Sequence, residues 1–300
     1  MKTKVLAFAI GIVSLASFSA GAQTVSGKKD FTSFTGINIS DMFTVSVRQA
    51  DYYGADWLVD SALRDYVLVG MKGSELVVTL DRKSFDKETK KLYAGKKANN
   101  AVLKLTVYAP SLTSVSVSDN VSIDMSKIDI ETANFNLDAT DNAVVTGLAV
   151  NASSATVTAS KKAEVKDAVI DAGNLSINTL NSAVATVDHI SKSLSVQTSG
   201  TSTANISGDC EGIEVTSQNS SKLNIKGSAL GMNLNAGGRE VHAEDLKVSD
   251  IAVVGSNGCK AYIFPEENLS LDLKGGCLVS FGGRPVIDIV NIQNSSVSHL

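Results

Sequence analysis

The sequence predicts an all-β chain: a single-stranded right-handed parallel β-helix, or solenoid, with coils of about 18–22 residues and a less regular N-terminal β cap. Three observations carry this reading. The composition is β-rich and small, with 3 Pro and 5% aromatic residues among many Val, Ser, Asn, Ala and Gly. Apolar pairs recur one residue apart at a nearly fixed period. Each pair is followed by a polar turn and then by a second pair.

The period is read from the second apolar residue before each turn. Val115, Leu137, Val157, Ile177, Val196, Val215, Leu234, Val253 and Leu271 succeed one another at intervals of 22, 20, 20, 19, 19, 19, 19 and 18. Two residues before them stand Thr113, Phe135, Ala155, Leu175, Leu194, Ile213, Met232, Ile251 and Leu269, on the same face because strand side chains alternate. Six residues after them a rung accepts only small or β-branched residues: Val121, Ala143, Ala163, Ala183, Ser202 and Ser221, a slipped coil at Glu240-Val241, then Cys259 and Cys277. Eight after come Ile123, Val145, Val165, Ala185, Ala204, Leu223, Ala261 and Val279, with Ala243 in the slipped coil. Corners such as Asp141-Asn142, Gly237-Gly238 and Asn257-Gly258 suit φ > 0. A short third side runs through Ile128/Ile130, Leu148/Val150 and Leu246/Val248, while Ala159 is expected on a turn.

Ahead of the repeats, 23–111 forms a cap or wider first coils, since terminal units of a solenoid are atypical. The Lys-rich segment 82–100 is expected as a protruding loop or hairpin, and DYYGADW, 51–57, as a turn-like segment. The repeats proper occupy 112–300. At the start, Lys2 and Lys4 precede an apolar run from Val5 to Phe18 and then Ala20-Gly21-Ala22, the pattern of a cleaved signal peptide over 1–22. Export to the periplasm, cell surface or extracellular space follows, with no transmembrane segment after cleavage because no later stretch reaches 18 apolar residues.

The charge of −4 offers no basic surface for nucleic acid. Catalysis has little equipment. Asp119, Asp138, Asp141, Asp167, Asp171 and Asp188 could supply carboxylates for glycan hydrolysis, but none recurs in a fixed outward register beside Arg or His. His189, His242 and His299 are isolated, and neither HExxH nor G-x-S-x-G occurs. No metal site is expected, because Cys210, Cys259 and Cys277 lack C-x-x-C spacing and a nearby His. Cys259 and Cys277 share a rung of adjacent coils. A bridge between directly stacked neighbours would be strained, so two buried thiols acting as small apolar groups are favoured.

The chain resembles the auto-transporter adhesin, head GIN domain family of exported Bacteroidetes proteins. The resemblance rests on Phe34-Thr35-Gly36-Ile37-Asn38-Ile39, Phe43-Thr44-Val45-Ser46-Val47-Arg48-Gln49, Gly73-Ser74-Glu75-Leu76-Val77-Val78 and Tyr108-Ala109-Pro110-Ser111-Leu112, together with the exported N-terminus. It implies a β-helical fold and a surface or periplasmic location. The functional expectation is a non-catalytic, adhesin-like binding or scaffold protein without cofactor, contacting glycans, envelope components or a second copy of itself. The alternative is a β-helix polysaccharide lyase or hydrolase. Candidate binding residues are Tyr52, Tyr53 and Trp57, where the aromatics concentrate, and Lys90, Lys91, Lys96 and Lys97. Core plugging by Trp57 and one Tyr is the competing reading of the aromatics.

Overall fold

The computed structural model describes residues 23–93, 101–238 and 240–300. They form a parallel β-solenoid of about ten turns. The apolar columns are the register: Leu137, Val157, Ile177, Val196, Val215, Leu234, Val253 and Leu271 are successive Cα partners on adjacent coils. None of these eight is more than 2% exposed. Each coil thus buries its apolar row against identical rows above and below, which is where a solenoid finds its stability.

From Glu164 to Lys274 the second strand of one coil runs without a break into the first strand of the next. The spans Glu164–Thr179, Val184–Thr198, Thr203–Gln218 and Lys222–Gly237 are single long strands that bend around the core. The third side lies within them, and Ile128, Ile130, Leu148, Val150, Leu246 and Val248 are all buried. One tight turn per coil remains, and at it a residue with positive φ recurs: Asp119, Asp141, Lys161, Asn181, Gly200, Asn219 and Asn257. Asp and Asn tolerate this conformation through local side-chain bonding.

Three register assignments differ from the sequence reading. Thr113 is exposed and bonds the Thr35 carbonyl, while Leu112 fills the inward place at 1% exposure. Ala159 is wholly buried, because the strand runs on to it and the turn begins one residue later. In the slipped coil Val241, not Ala243, partners Leu223 and Ala261. The turn before it is one residue short, and alternation then carries Ala243 opposite Ile263.

At the N-terminal end, chain order and spatial order part. Gly36–Ile39 and Thr44–Gln49 lie directly on the coil of Ser114–Val117 and Ser122–Lys127. Glu75–Leu80 and Leu103–Ala109, later in sequence, stack outside them. Antiparallel strands complete this end: Tyr53–Asp60 pairs with both Thr24–Phe31 and Leu103–Ala109, and Val67–Lys72 pairs with Glu75–Leu80. As far as it is described, the Lys-rich segment is neither a loop nor a hairpin. It forms a short helix, Lys87–Leu92, capped by the Asp86 side chain on Thr89 N and anchored by Phe85 against Tyr66. Lys96 and Lys97 lie outside the described residues.

Candidate functional site at the N-terminal cap

The segment DYYGADW is a strand from Tyr53 onward rather than a turn, and only Asp51 and Tyr52 bend. Pairing on both edges fixes which rings face inward. Tyr53 packs edge-on to Phe34 at 5.0 Å and 68° and joins the core. Trp57 lies opposite Gly27, where an added Cβ would come within 2.3 Å of the indole. Both rings therefore build the cap, as the core-plugging reading holds.

Tyr52 is different. It is 43% exposed and stacks on Tyr108 with centroids 5.3 Å apart and planes 26° from parallel. Gly54 makes room, since a Cβ there would stand 3.1 Å from the Tyr52 ring. Lys28 Nζ lies 5.9 Å from the centre of the same ring, and Arg48 is the cross-strand partner of Tyr108. The Tyr108 phenol is raised above its ordinary pKa, chiefly by burial and then by the charge of Asp56, so it stays neutral at ordinary pH. The result is a two-ring shelf bordered by two cations and a carboxylate. Such a shelf can stack on the C–H face of a sugar while its polar rim bonds hydroxyls.

Lys90 and Lys91 do not join this shelf. Tyr93, just after the helix bearing Lys90 and Lys91, bonds Asp60 at 3.0 Å through its hydroxyl. Asp60 ends the strand that Tyr53 begins, about 24 Å away at ~3.4 Å per residue. Tyr108, Lys28 and Arg48 were not singled out from the sequence as binding residues. The antiparallel pairing of Tyr53–Asp60 with its two neighbours brings Lys28 and Tyr108 to Tyr52, and the parallel pairing of Thr44–Gln49 with Leu103–Ala109 adds Arg48.

Of the six candidate carboxylates, Asp119, Asp141 and Asp167 hold positive-φ positions. Asp188 accepts a hydrogen bond from Ser207 of the next coil. Among the described residues no group of three or more His, Cys, Asp or Glu is arranged to hold a metal ion, and no helix is long and apolar enough to cross a membrane.

Comparison with known proteins adds the family. The chain is similar in fold to a crystal structure described as a putative adhesin from Parabacteroides distasonis, with a TM-score of 0.54 at 16% identity over 92% of this chain and 97% of that one. A putative lipid binding protein from the same species gives a TM-score of 0.48 at 13% identity, covering 92% of this chain and 96% of that one. A putative adhesin from Parabacteroides merdae gives 0.47 at 14% identity with the same coverage. No curated protein matches the chain. Residues 33–186 and 171–285 both match the family described as "Putative auto-transporter adhesin, head GIN domain", and together they span most of the molecule: the chain belongs to that family.

Proposed function

We propose that this is an exported, non-catalytic, adhesin-like protein that contacts glycans of a cell envelope through the Tyr52–Tyr108 shelf of its cap. The observation that carries the reading is the exposed Tyr52 ring stacked on half-buried Tyr108, in a chain whose aromatic content is 5%. An aromatic ring left 43% open at a rim of Lys28 and Arg48 contributes little to the core, whereas its neighbours Tyr53 and Trp57 are packed against it. The family description agrees with an adhesive role. The rigid coils would then serve as a stalk that presents the cap.

A glycan array and a pull-down with outer-membrane extracts test this, using the parent and a Tyr52→Ala/Tyr108→Ala variant. Affinity for the captured glycan should fall about tenfold in the variant, equivalent to ~1.4 kcal/mol. Unchanged capture would remove the shelf from the reading. Release of fragments from a bound polysaccharide would replace adhesion with the lyase or hydrolase alternative.

A further inference from the structure

The slipped coil creates a groove on the side of the solenoid, far along the chain from the cap. Between Ala243 and Lys247 it holds three residues more than the following coil, whose partners there are Ile263 and Phe264. Against the preceding coil it holds one more, His242 to Leu246 facing Asn224 to Gly227. Leu246 and Val248 still return to the core at 1% and 0% exposure, so Glu244 and Asp245 are pushed outward as a wall. Bulges of this kind re-aim side chains and gather near functional sites.

The groove so formed has a volume of about 360 Å³. Its floor is a ladder of outward amides: Asn224 donates to Asn205 at 2.6 Å, and Asn205 to Thr186 at 3.5 Å. Asp188 and Ser207, mutually hydrogen-bonded, line it beside Thr186. His242 is held in place on three sides. Its Nδ1 meets Glu244 at 3.0 Å, its Nε2 lies 3.6 Å from Glu240, and its ring stacks on Tyr262 at 4.9 Å and 13°. Glu244 has a second oxygen, Oε2, that is buried and has no protein donor. That oxygen is closed to a hydroxyl from outside as well, so the wall is under-satisfied, while the part of the Glu244 side chain left open, 38% of it, lines the groove.

We infer that this groove is a second binding site and that its ligand is a neutral sugar ring of a saccharide chain. Amides and carboxylates that converge beside the His242 imidazole match the vicinal hydroxyls of a pyranose. The charge is mixed: Lys222 and Lys226 lie beside Asp188, Glu244 and Asp245. With three carboxylates to two ammonium groups a polyanion finds no net attraction, and ligand hydroxyls meet donors and acceptors alike.

The test uses the imidazole itself as probe, because the chain has three histidines and the ring signal of His242 can be assigned with a His242→Gln variant. Neutral malto-, manno-, xylo- and laminari-oligosaccharides are titrated beside polygalacturonate and chitosan oligomers, each followed by proton NMR. A neutral oligosaccharide should shift the His242 resonance equally in the parent and in Tyr52→Ala/Tyr108→Ala, which separates this groove from the cap. Glu244→Gln should weaken that titration roughly fivefold, and added salt should leave it unchanged because the ligand carries no charge. The inference fails if no neutral probe moves the resonance, if only a charged polysaccharide does, or if Glu244→Gln binds like the parent.

Discussion

Ile170 and His189 are partners on adjacent coils, so an imidazole occupies the inward place that Ile130, Val150 and Ile170 fill before it. His189 is 5% exposed and its Nδ1 lies 3.1 Å from Ser191 Oγ. The next coil approaches it closely: a Cβ at Gly208 would come within 1.9 Å of the His189 carbonyl. Burial lowers the pKa of the ring below 6.5, with Asp209 and Asp188 acting in the opposite direction. The neutral ring is therefore the native form, and the unfolded chain takes up a proton first as the pH falls. This contribution to stability is full above about pH 6.5 and is lost on acidification toward the lower folded value. Melting curves by circular dichroism between neutral and mildly acid pH should show a shallower loss for His189→Gln than for the parent. Equal slopes would mean that the ring does not titrate in this way.

The small rung gives a packing prediction. Ala159 and Ala163 are both fully buried on either side of one turn, while Lys162 between them is exposed. Phe at either alanine should destabilise by about 1–3 kcal/mol through overpacking, and Lys162→Phe should be close to neutral by the same melting assay. Ile177→Asp or Val215→Asp places a charge where exposure is 0% and 2%, and should cost several kcal/mol more than any surface change. A parent-like melt for either Asp variant would contradict the register.

These columns were legible in the sequence because strand alternation and a near-constant coil length each leave a repeating trace. Inside-outside parity at the turns was less so. Ala159 and Thr113 sit where a strand's end decides the facing, and a shift of one residue reverses it. The slipped coil at Glu240-Val241 was visible as a break in period, but the compensating bulge that builds the groove around His242 depends on how neighbouring coils pair. The same holds for the cap. Tyr52 and Tyr108 are 56 residues apart, and nothing local in the alternation of either segment says that they share an edge. The stacking of Gly36–Ile39 between two later segments is likewise a long-range choice.

Gly255 and the two stacked cysteines make a third prediction. Cys259 and Cys277 are free and buried, at 0% and 1% exposure. A Cβ at Gly255 would stand 3.0 and 3.1 Å from their sulfurs and 2.8 Å from Leu273. Burial pushes the Cys259 thiol up to about 12 and the Cys210 thiol up to about 11. Thiolate is the reactive form, so a disulfide reagent at neutral pH should label Cys210 and Cys259 slowly in the folded protein and all three cysteines rapidly in denaturant. Gly255→Ala should lower stability by about 1–3 kcal/mol and speed the labelling of Cys259. Rapid reaction of folded parent at Cys259 would show that this corner opens far more readily than its packing implies.

The cap supplies the last prediction, and the single Trp makes it readable. Trp57 rests on the bare backbone of Gly27, its partner across an antiparallel pair. Gly27→Val would put side-chain atoms where the indole lies, within the 2.3 Å that even a Cβ reaches. The ring must then leave its place, and its emission should shift to the red as water reaches it. The cap should lose stability while the coils beyond Val115 keep their β spectrum, since each coil is held mainly by its immediate neighbours. Tyr52→Ala should do neither, because that ring lies on the surface and touches Tyr108 rather than the core. Binding then separates the two roles: Tyr52→Ala should lose the captured glycan with the Trp57 signal intact. If Gly27→Val left the emission unchanged, the seating of Trp57 would be wrong. If Tyr52→Ala altered it as much as Gly27→Val, the shelf and the plug would be one structural unit and not two.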